Sequence, residues 1–246
     1  MNNANATSQT IDILLNHTSV RSFTSEPVSE EAVQTIFKCA QAASTSCFLQ
    51  VTSVIRITDK ALKARIAKLA GGQKHVEEAP ELWIFCPDYY RLKVVCPSSE
   101  LGWSEQLLVG IQDAGIMGQN VFAALESLGL GGCYIGGIRN GIREVDALLK
   151  LPDHVFPLFG IAFGHPAKRN EVKPRLPASV TFMENEYHEP SEEQISAYDQ
   201  IIRDYYALRS ANAKHSDWSG AVASYMLKER RPFILKFLQE KGWGNR

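Results

Sequence analysis

Leu82-Trp83-Ile84-Phe85-Cys86 is an uninterrupted apolar run with the length of one β-strand. A strand that buries only one face alternates apolar and polar residues, so a continuous run predicts a strand buried on both faces rather than an edge strand. The segments 51–58 and 155–163 are also predicted strands, the second of them buried, and a short strand is predicted within 129–137. The fold is therefore organised around a sheet with a buried Leu82–Cys86 strand.

The longest predicted helix spans about Trp103 to Leu128, because apolar residues recur there at helical spacing and no proline interrupts them. Gly110, Ala114 and Gly118 form a stripe of small residues that permits close packing, either against another helix or within the core of the same chain. Further helices are predicted at 9–16, 29–43, 59–69, 89–95, 140–150 (capped by Asn140) and 191–208, with two more within 217–238.

Helices and strands alternate early in the chain and helices dominate its end, which predicts an α+β fold. We expect a mixed sheet of four or five strands surrounded by helices. The whole chain, 1–246, is expected to form a single domain with a helical C-terminal extension from about residue 191.

Composition excludes several classes of protein. The 246 residues are 45% hydrophobic, enough for a full core, and the net charge of -1 provides no global field to attract nucleic acid or an anionic membrane. No apolar run approaches the ~20 residues that span a bilayer, and the polar start lacks the features of a signal peptide, so we expect a cytoplasmic protein. The five cysteines are odd in number and contain no C-x-x-C pair, so neither a disulfide framework nor a metal site is expected.

Two separated stretches contain anion-binding side chains: His17-Thr18-Ser19-Val20-Arg21 and Lys173-Pro174-Arg175. In an extended segment alternate side chains share a face, which would group His17, Ser19 and Arg21. Arg is a planar two-pronged donor, Lys a compact charge, and Ser and His single donors, a set that suits a phosphate monoester. Either stretch alone is more often a solvated loop, so the hypothesis depends on the two together.

Three further stretches offer donors or close backbone approach. Ser44-Thr45-Ser46-Cys47-Phe48 is a run of hydroxyl and thiol side chains, which is either a donor cluster or a polar connection. Gly136-Gly137 either admits a flat ligand to the backbone or forms a plain turn, and its surroundings do not match a dinucleotide-binding fingerprint. Gln73 directly follows the double glycine Gly71-Gly72.

These stretches, taken together, resemble the flavin-dependent nitroreductase family from about residue 11 to 246. The similarity is to its NADPH-preferring branch of oxygen-insensitive nitroreductases and NADPH–FMN oxidoreductases. It is carried by the blocks 44–50, 71–76, 128–137, 173–177 and 231–234. The resemblance implies a nitroreductase-like fold, a homodimer with FMN at the subunit interface, and NADPH as co-substrate.

The resemblance also implies a role for individual residues. The phosphate and ribityl end of FMN is assigned to His17, Ser19, Arg21, Lys173 and Arg175. The flavin ring is assigned to Ser44, Thr45, Ser46, Gln73, Tyr134, Ile135, Gly136 and Gly137. The substrate pocket is assigned to Cys47, Phe48, Glu105 and Arg231, and the NADPH 2′-phosphate to Arg209, which Lys214 in the same polar segment is expected to assist. Glu105 has a second explanation, because acids are favourable in a first helical turn. The family usually has Arg where Thr18 stands, and Ser where Cys47 stands.

The implied activity is two-electron reduction of nitroaromatics and quinones by a ping-pong mechanism in which the flavin N5 carries the hydride, so no side chain is expected to be catalytic. A flavin reductase that supplies reduced FMN is the alternative within this class. A non-catalytic binding module, with Pro174-Arg175-Leu176-Pro177 as a P-x-x-P ligand, is the alternative from another class.

Overall fold

A computed structural model describes residues 8–209 and 216–244. Its strands are β1 (Thr52–Arg56), β2 (Glu81–Pro87), β3 (Gly131–Ile135) and β4 (Phe159–Gly164). The described helices are α1 (Gln9–Leu15), α2 (Glu30–Gln41), α3 (Lys60–Leu69), α4 (Lys74–Glu78), α5 (Leu92–Val95), α6 (Ser104–Ser127), α7 (Ile142–Leu149), α8 (Ala178–Thr181), α9 (Glu192–Ala207), α10 (Trp218–Met226) and α11 (Ile234–Glu240). Short 3-10 turns lie at Ser46–Phe48 and Gly136–Gly141.

The chain divides into two compact units. The first contains the chain up to Asn170 together with the residues from Arg231 onward, and so holds the whole sheet. The second is Glu171–Arg230, which contains α8, α9 and α10.

The four strands form one sheet in the order β1-β2-β4-β3. Thr52 pairs with Pro87, Trp83 with Ile161, and Ile135 with Gly160. The predicted α+β class and the lower strand count are confirmed. All three described pairings are antiparallel, so the mixed sheet predicted from the sequence is wrong in this detail. Hydrophobic patterns locate strands, whereas strand direction depends on the connections between them.

Strand β2 is buried along its entire length, as the continuous apolar run predicted. Leu82, Ile84 and Cys86 join a core cluster with residues of α3 and α4 on one face. Trp83 and Phe85 join a second cluster with residues of α2 and α6 on the other face. The alternation of side chains along a strand thus supplies both clusters, and each fully buried large side chain contributes roughly 1.5–3 kcal/mol.

The small-residue stripe of α6 packs inside its own chain. A Cβ on Gly110 would lie 3.0 Å from Pro87 Cβ, and a Cβ on Gly118 would lie 3.0 Å from both Phe159 Cζ and the Tyr134 hydroxyl. Ala114, between them, is fully buried. Of the two explanations left open by the sequence, close packing of this helix on its own sheet is the one observed.

Three predicted helix starts are confirmed by their caps. The Ser29 hydroxyl accepts from the amide of Ala32 at 3.2 Å, and the Asp59 carboxylate accepts from Leu62 at 2.7 Å. Ser191 accepts from the amide of Gln194 at 3.2 Å in a reciprocal capping box. Each cap satisfies a backbone donor that the first turn leaves unpaired.

Two element boundaries and one helix cap differ most from the prediction. Strand β4 begins at Phe159 rather than Val155, because Pro157 interrupts the segment with a residue that has no N–H to donate. Asn140 does not cap α7, which follows a 3-10 turn and has Gly141 at its N-cap. The helix predicted over 89–95 is restricted to α5.

The second unit is held together around α9. The Tyr198 hydroxyl donates to the carbonyl oxygen of Pro174 at 3.0 Å, which attaches the 171–177 segment. The Asp199 carboxylate accepts from the amide of Ser219 at 2.9 Å, which attaches α10. None of the helices in the described part of the chain is long and apolar enough to cross a membrane.

Candidate active site

The His17–Arg21 segment runs beside strand β3. The amide of Val20 donates to the carbonyl oxygen of Gly132 at 2.8 Å, and Asn170 Nδ2 donates to the carbonyl oxygen of Ser19 at 2.9 Å. Thr18 and Val20 are buried, whereas His17 and Ser19 are half-buried and Arg21 is exposed. The alternation expected for an extended segment is therefore observed, with the three predicted phosphate ligands on the outer side.

His17 is oriented by helix α6. Its Nδ1 atom lies 2.8 Å from Oε1 of Glu126, whose side chain is nearly buried. Its ring also meets the ring of Phe122 edge-on, with the centroids 5.3 Å apart. The ring of Phe122 also stacks on the ring of Tyr134, with the two centroids 4.6 Å apart. Burial raises the pKa of the Tyr134 phenol to about 12, so the hydroxyl is neutral at physiological pH.

Arg21 has no carboxylate partner among the described residues. Burial lowers the pKa of His75, and the charge of Arg21 lowers it further. Burial raises the pKa of the Cys133 thiol to about 11, and Arg21 opposes that rise. The guanidinium of Arg21 therefore acts as a local positive charge beside β3 and α4 that no acid in the described chain neutralises.

Gln73 and Gly137 lie in contact at the far end of β3. A Cβ on Gly137 would lie 2.5 Å from both the Gln73 Nε2 and the carbonyl oxygen of Ala70, to which that amide donates at 2.8 Å. Only glycine allows the two turns to approach so closely. Beside them, Asn140 Oδ1 accepts from Arg231 Nε at 2.8 Å, which brings the predicted pocket residue Arg231 to the same place. Ile135 is buried in the core, so only its backbone is available to a ligand.

The Ser44–Phe48 loop is attached to α6 at a different point. The Thr45 hydroxyl donates to Asp113 Oδ2 at 2.6 Å, and the amide of Ser46 donates to Asp113 Oδ1 at 3.2 Å. Cys47 and Phe48 both have positive φ, and the Phe48 side chain is 78% exposed. A cavity of about 280 Å³ lies next to this loop, lined among others by Ser44, Thr45 and Asp113.

The structure therefore divides the predicted first-unit residues between two places. The 44–48 loop precedes β1, at one edge of the sheet, while residues 134–137 end β3, at the other edge. Three strand spacings separate these edges, or about 14 Å. The α6 residues that contact these segments are also far from each other. Asp113, which contacts the 44–48 loop, and Glu126, which contacts His17, are thirteen residues apart in the helix, about 20 Å along its axis.

The remaining predicted residues lie in the second unit, on the first turn of α6, or outside the described residues. Lys173 Nζ donates to the Tyr206 hydroxyl at 3.0 Å, and Arg175 donates to the carbonyl oxygen of Lys173 at 2.9 Å. The guanidinium of Arg209 lies over the Tyr205 ring, 5.6 Å from its centroid. Glu105 is exposed in the first turn of α6, and Lys214 lies outside the described residues.

Two family profiles match the chain. The profile described as the nitroreductase family covers residues 14–165, and that of the nitroreductase family C-terminal domain covers residues 173–246. This chain belongs to the nitroreductase family.

Similar members of the nitroreductase family align over almost their whole length. The chain is 48% identical over 239 residues to an oxygen-insensitive NADPH nitroreductase of Salmonella typhimurium, covering 97% of this chain and 100% of that protein. It is 46% identical over 237 residues to an NADPH-flavin oxidoreductase of Vibrio harveyi, covering 96% of this chain and 99% of that protein.

Solved nitroreductase structures have the same fold. Nitroreductase A from Vibrio parahaemolyticus superposes with a TM-score of 0.93 at 45% identity, covering 98% of this chain and 100% of that one. The NADPH:FMN oxidoreductase from Vibrio harveyi, complexed with NAD+, superposes with a TM-score of 0.92 at 43% identity, covering 97% of this chain and 100% of that one.

Three residues that contact predicted site residues were not identified from the sequence in that role: Asp113, Glu126 and Asn140. A signal exists for Asp113, because it lies on the α6 face that also carries Gly110, Ala114 and Val121, and an acid on a buried face needs hydrogen-bond donors. Glu126 and Asn140 have no comparable local signal. Their partners, His17 and Arg231, are 109 and 91 residues away in the sequence.

Proposed function

We propose that this chain is an FMN-dependent reductase that oxidises NADPH and transfers two electrons to nitroaromatic or quinone acceptors. One observation carries the proposal: the chain is 46–48% identical, over nearly its full length, to proteins named as an NADPH nitroreductase and an NADPH-flavin oxidoreductase. Its fold matches that of the NADPH:FMN oxidoreductase from Vibrio harveyi throughout.

The residues predicted to bind the phosphate of FMN have side chains whose chemistry suits it. Arg21, Lys173 and Arg175 are cations without a carboxylate partner among the described residues, and each is proposed to bind the phosphate. Ser19 and His17 add single donors beside Arg21. Glu126 does not compete for Arg21, since its carboxylate is engaged with His17. Charge-assisted hydrogen bonds from such a set are stronger than neutral ones.

The residues at the end of β3 fit the flavin ring. The Gln73 amide uses one N–H on Ala70, which leaves a second N–H and the carbonyl oxygen for the polar edge of a ring. Gly136 and Gly137 are proposed to present backbone groups to the ring, although the Cβ position of Gly137 is already filled by Ala70 and Gln73. Tyr134 presents a neutral, partly exposed phenol. When bound, FMN supplies the hydride chemistry at its N5, and the protein supplies position and electrostatics.

We also propose a homodimer in which each flavin lies between two copies. The Ser44–Phe48 loop and the Gly137 turn occupy opposite edges of one sheet, so a loop from a second copy is the simplest way to complete a site. Exposed apolar side chains support such a contact, at Ile11, Leu14 and Leu15 on α1 and at Leu108 and Ile111 on α6. Helices α1 and α6 pack together, so these residues belong to neighbouring elements.

The same site is proposed to take NADPH and the acceptor in turn. Arg209 and Lys214 are proposed to bind the 2′-phosphate, the group that distinguishes NADPH from NADH. Phe48, Arg231, Glu105 and Cys47 are proposed to border the acceptor. Because one pocket is proposed to bind both substrates, NADP+ leaves before the acceptor enters.

Purified protein tests the proposal directly. A yellow protein with a flavin spectrum should oxidise NADPH in the presence of a nitroaromatic or a quinone. Initial rates measured at several concentrations of both substrates should give the parallel double-reciprocal lines of a ping-pong mechanism. A colourless protein that does not regain FMN on reconstitution would contradict the proposal and would favour the non-catalytic alternative.

Flavin reduction is the second candidate activity, supported by relatives named for it. Besides the Vibrio harveyi oxidoreductase, an FMN reductase (NADPH) of Bacillus subtilis is 39% identical over 243 residues, covering 95% of this chain and 98% of that protein. Comparing kcat/KM for free FMN with kcat/KM for a nitroaromatic and a quinone distinguishes the two activities. The preferred acceptor is the one with the larger value.

A further inference from the structure

Asp113 is a buried acid that the proposed chemistry does not use. Asp113 is 3% exposed, and no Lys or Arg among the described residues forms an ion pair with it. Its carboxylate is satisfied by the 44–50 loop, through the Thr45 hydroxyl at 2.6 Å and the Ser46 amide at 3.2 Å. A buried carboxylate needs such donors, so the loop and the acid stabilise each other.

The Thr45 hydroxyl both donates and accepts a hydrogen bond within this network. Its single hydrogen is donated to Asp113, and its oxygen accepts from the amide of Gln50 at 2.9 Å. The hydroxyl therefore has no proton left to donate to a bound ligand. Thr45, predicted from the sequence to line the flavin, also links the two ends of the 45–50 segment through this hydroxyl.

The loop closed in this way has an unusual backbone. Cys47, Phe48 and Gln50 have φ values of 49°, 58° and 56°, in the left-handed region that residues other than glycine rarely adopt. Such conformations persist only where surrounding contacts fix them. The hydrogen bonds that close this loop onto the body of the protein include both made by Asp113, which lies on the long and rigid helix α6.

We propose that Asp113 is a positioning residue for the acceptor pocket. It holds the 44–50 loop so that Phe48 projects from the surface in one fixed orientation. The inference rests on the proposed function, in which Phe48 borders the acceptor. A loosened loop would leave the flavin reducible by NADPH but would weaken selection among acceptors. The effect should be larger for a bulky nitroaromatic that reaches Phe48 than for a small quinone.

Asp113→Asn tests this with little change in size. Asparagine accepts one of the two hydrogen bonds but turns its NH2 group toward a second donor. In the FMN-loaded enzyme we expect hydrogen–deuterium exchange of the 44–50 peptide to rise about tenfold, with α6 itself unchanged. We expect KM for the bulky acceptor to rise about fivefold with kcat nearly constant. Asp59→Asn is the matched control, because asparagine also caps a helix, and it should change neither measurement.

Two variants of Thr45 keep the test decisive if Asp113→Asn folds poorly. Thr45→Val removes the hydroxyl and should reproduce the faster exchange and the higher KM, and combining it with Asp113→Asn should add little. Thr45→Ser keeps the hydroxyl and should retain slow exchange. Unchanged exchange in both Asp113→Asn and Thr45→Val overturns the positioning role whether or not the protein is active. Faster exchange with an unchanged KM for every acceptor also overturns it, because the loop would then be a structural link only. A protein without FMN or NADPH oxidation, by contrast, would refute the proposed function and not the loop network.

Discussion

Nδ1 of His17 lies 2.8 Å from Oε1 of Glu126, and the ring of Phe122 stands edge-on to the same imidazole. The acid and the histidine come from distant parts of the sequence, one from the last turns of α6 and the other from the loop after α1. The contact determines which nitrogen faces the protein, so Nε2 is the atom left for a ligand. A helix at the centre of the fold thereby orients a residue of the proposed phosphate site.

Removing the acceptor on Glu126 should weaken FMN binding. We expect Glu126→Ala to lower FMN affinity by about 1 kcal/mol, because the imidazole loses the hydrogen bond that orients it. Glu126→Gln keeps an oxygen acceptor at the same position and should retain most of the affinity. Fluorescence titration of the apoprotein with FMN measures both. Equal affinity for the Ala variant and the parent would show that the contact does not support binding.

Loss of a cation that is proposed to bind the phosphate should weaken FMN binding more than loss of Glu126. We expect Arg21→Ala and Lys173→Ala each to weaken FMN binding by about 1.5–3 kcal/mol, the range for hydrogen bonds to charged groups. Arg65→Ala removes a cation from α3 that is not assigned to the cofactor, and it serves as the control in the same titration. If Arg21→Ala and Lys173→Ala bind FMN as tightly as Arg65→Ala, the phosphate assignment is wrong.

The two adjacent glycines after β3 should respond differently to alanine. A Cβ on Gly137 would lie 2.5 Å from the carbonyl oxygen of Ala70, a backbone atom, whereas the nearest atoms to a Cβ on Gly136 belong to the Arg139 guanidinium, at 3.2 Å or more. We expect Gly137→Ala to lower the free energy of unfolding by about 1–3 kcal/mol and to displace Gln73. Gly136→Ala should cost less, since the end of a side chain rather than backbone has to shift. Denaturant unfolding of the two variants checks the difference, and equal stabilities would contradict it.

The fold was largely predictable from local patterns. The run Leu82–Cys86 predicted a strand buried on both faces, and the helical period of 103–128 predicted α6, because both patterns record burial directly. Caps at Ser29, Asp59 and Ser191 fixed three helix starts. The errors lie where a local pattern was overridden, as at Pro157, or where no pattern exists, as for the direction of strand pairing.

The site was predictable only in part, for a related reason. The residue types near His17 and Gly137 carry their own chemistry, so the segment proposed to bind the phosphate and the glycine turn could both be predicted from the sequence. Their supports, Glu126 and Asn140, act through partners about one hundred residues away. The separation of the Ser44–Phe48 loop from the Gly137 turn follows from the strand order, which requires knowledge of tertiary pairing.

A charge on the exposed face of α6 should disrupt the proposed homodimer. We expect Leu108→Asp to shift the protein toward monomers in light scattering and to lower FMN affinity, because burying an unpaired carboxylate in an interface is unfavourable and the flavin site needs both copies. Val94→Asp, at an exposed apolar residue of α5 outside the proposed interface, is the matched control. A Leu108→Asp protein that remains dimeric would exclude this face, and a monomeric parent that keeps its flavin on dilution would contradict the dimer itself.

Discrimination between coenzymes should depend on Arg209. Its guanidinium carbon lies 5.6 Å from the centroid of the Tyr205 ring, and a guanidinium carries a planar set of N–H donors that suits a phosphate. NADPH carries the 2′-phosphate and NADH does not. We therefore expect Arg209→Ala to raise the KM for NADPH about tenfold or more while the KM for NADH changes little.

A second arginine in the same unit provides the control for this effect. Arg203 lies on α9 and pairs with Asp217 at 2.9 Å in an exposed ion pair, an arrangement that contributes little to stability. Arg203→Ala removes an equal charge from the helix that precedes Arg209 and should leave the ratio of the two KM values unchanged. Steady-state rates with both coenzymes, at a fixed saturating quinone concentration, give that ratio for each variant. An equal rise in KM for NADPH and NADH in Arg209→Ala would mean that the residue affects the common part of the coenzymes, and the 2′-phosphate assignment would fail.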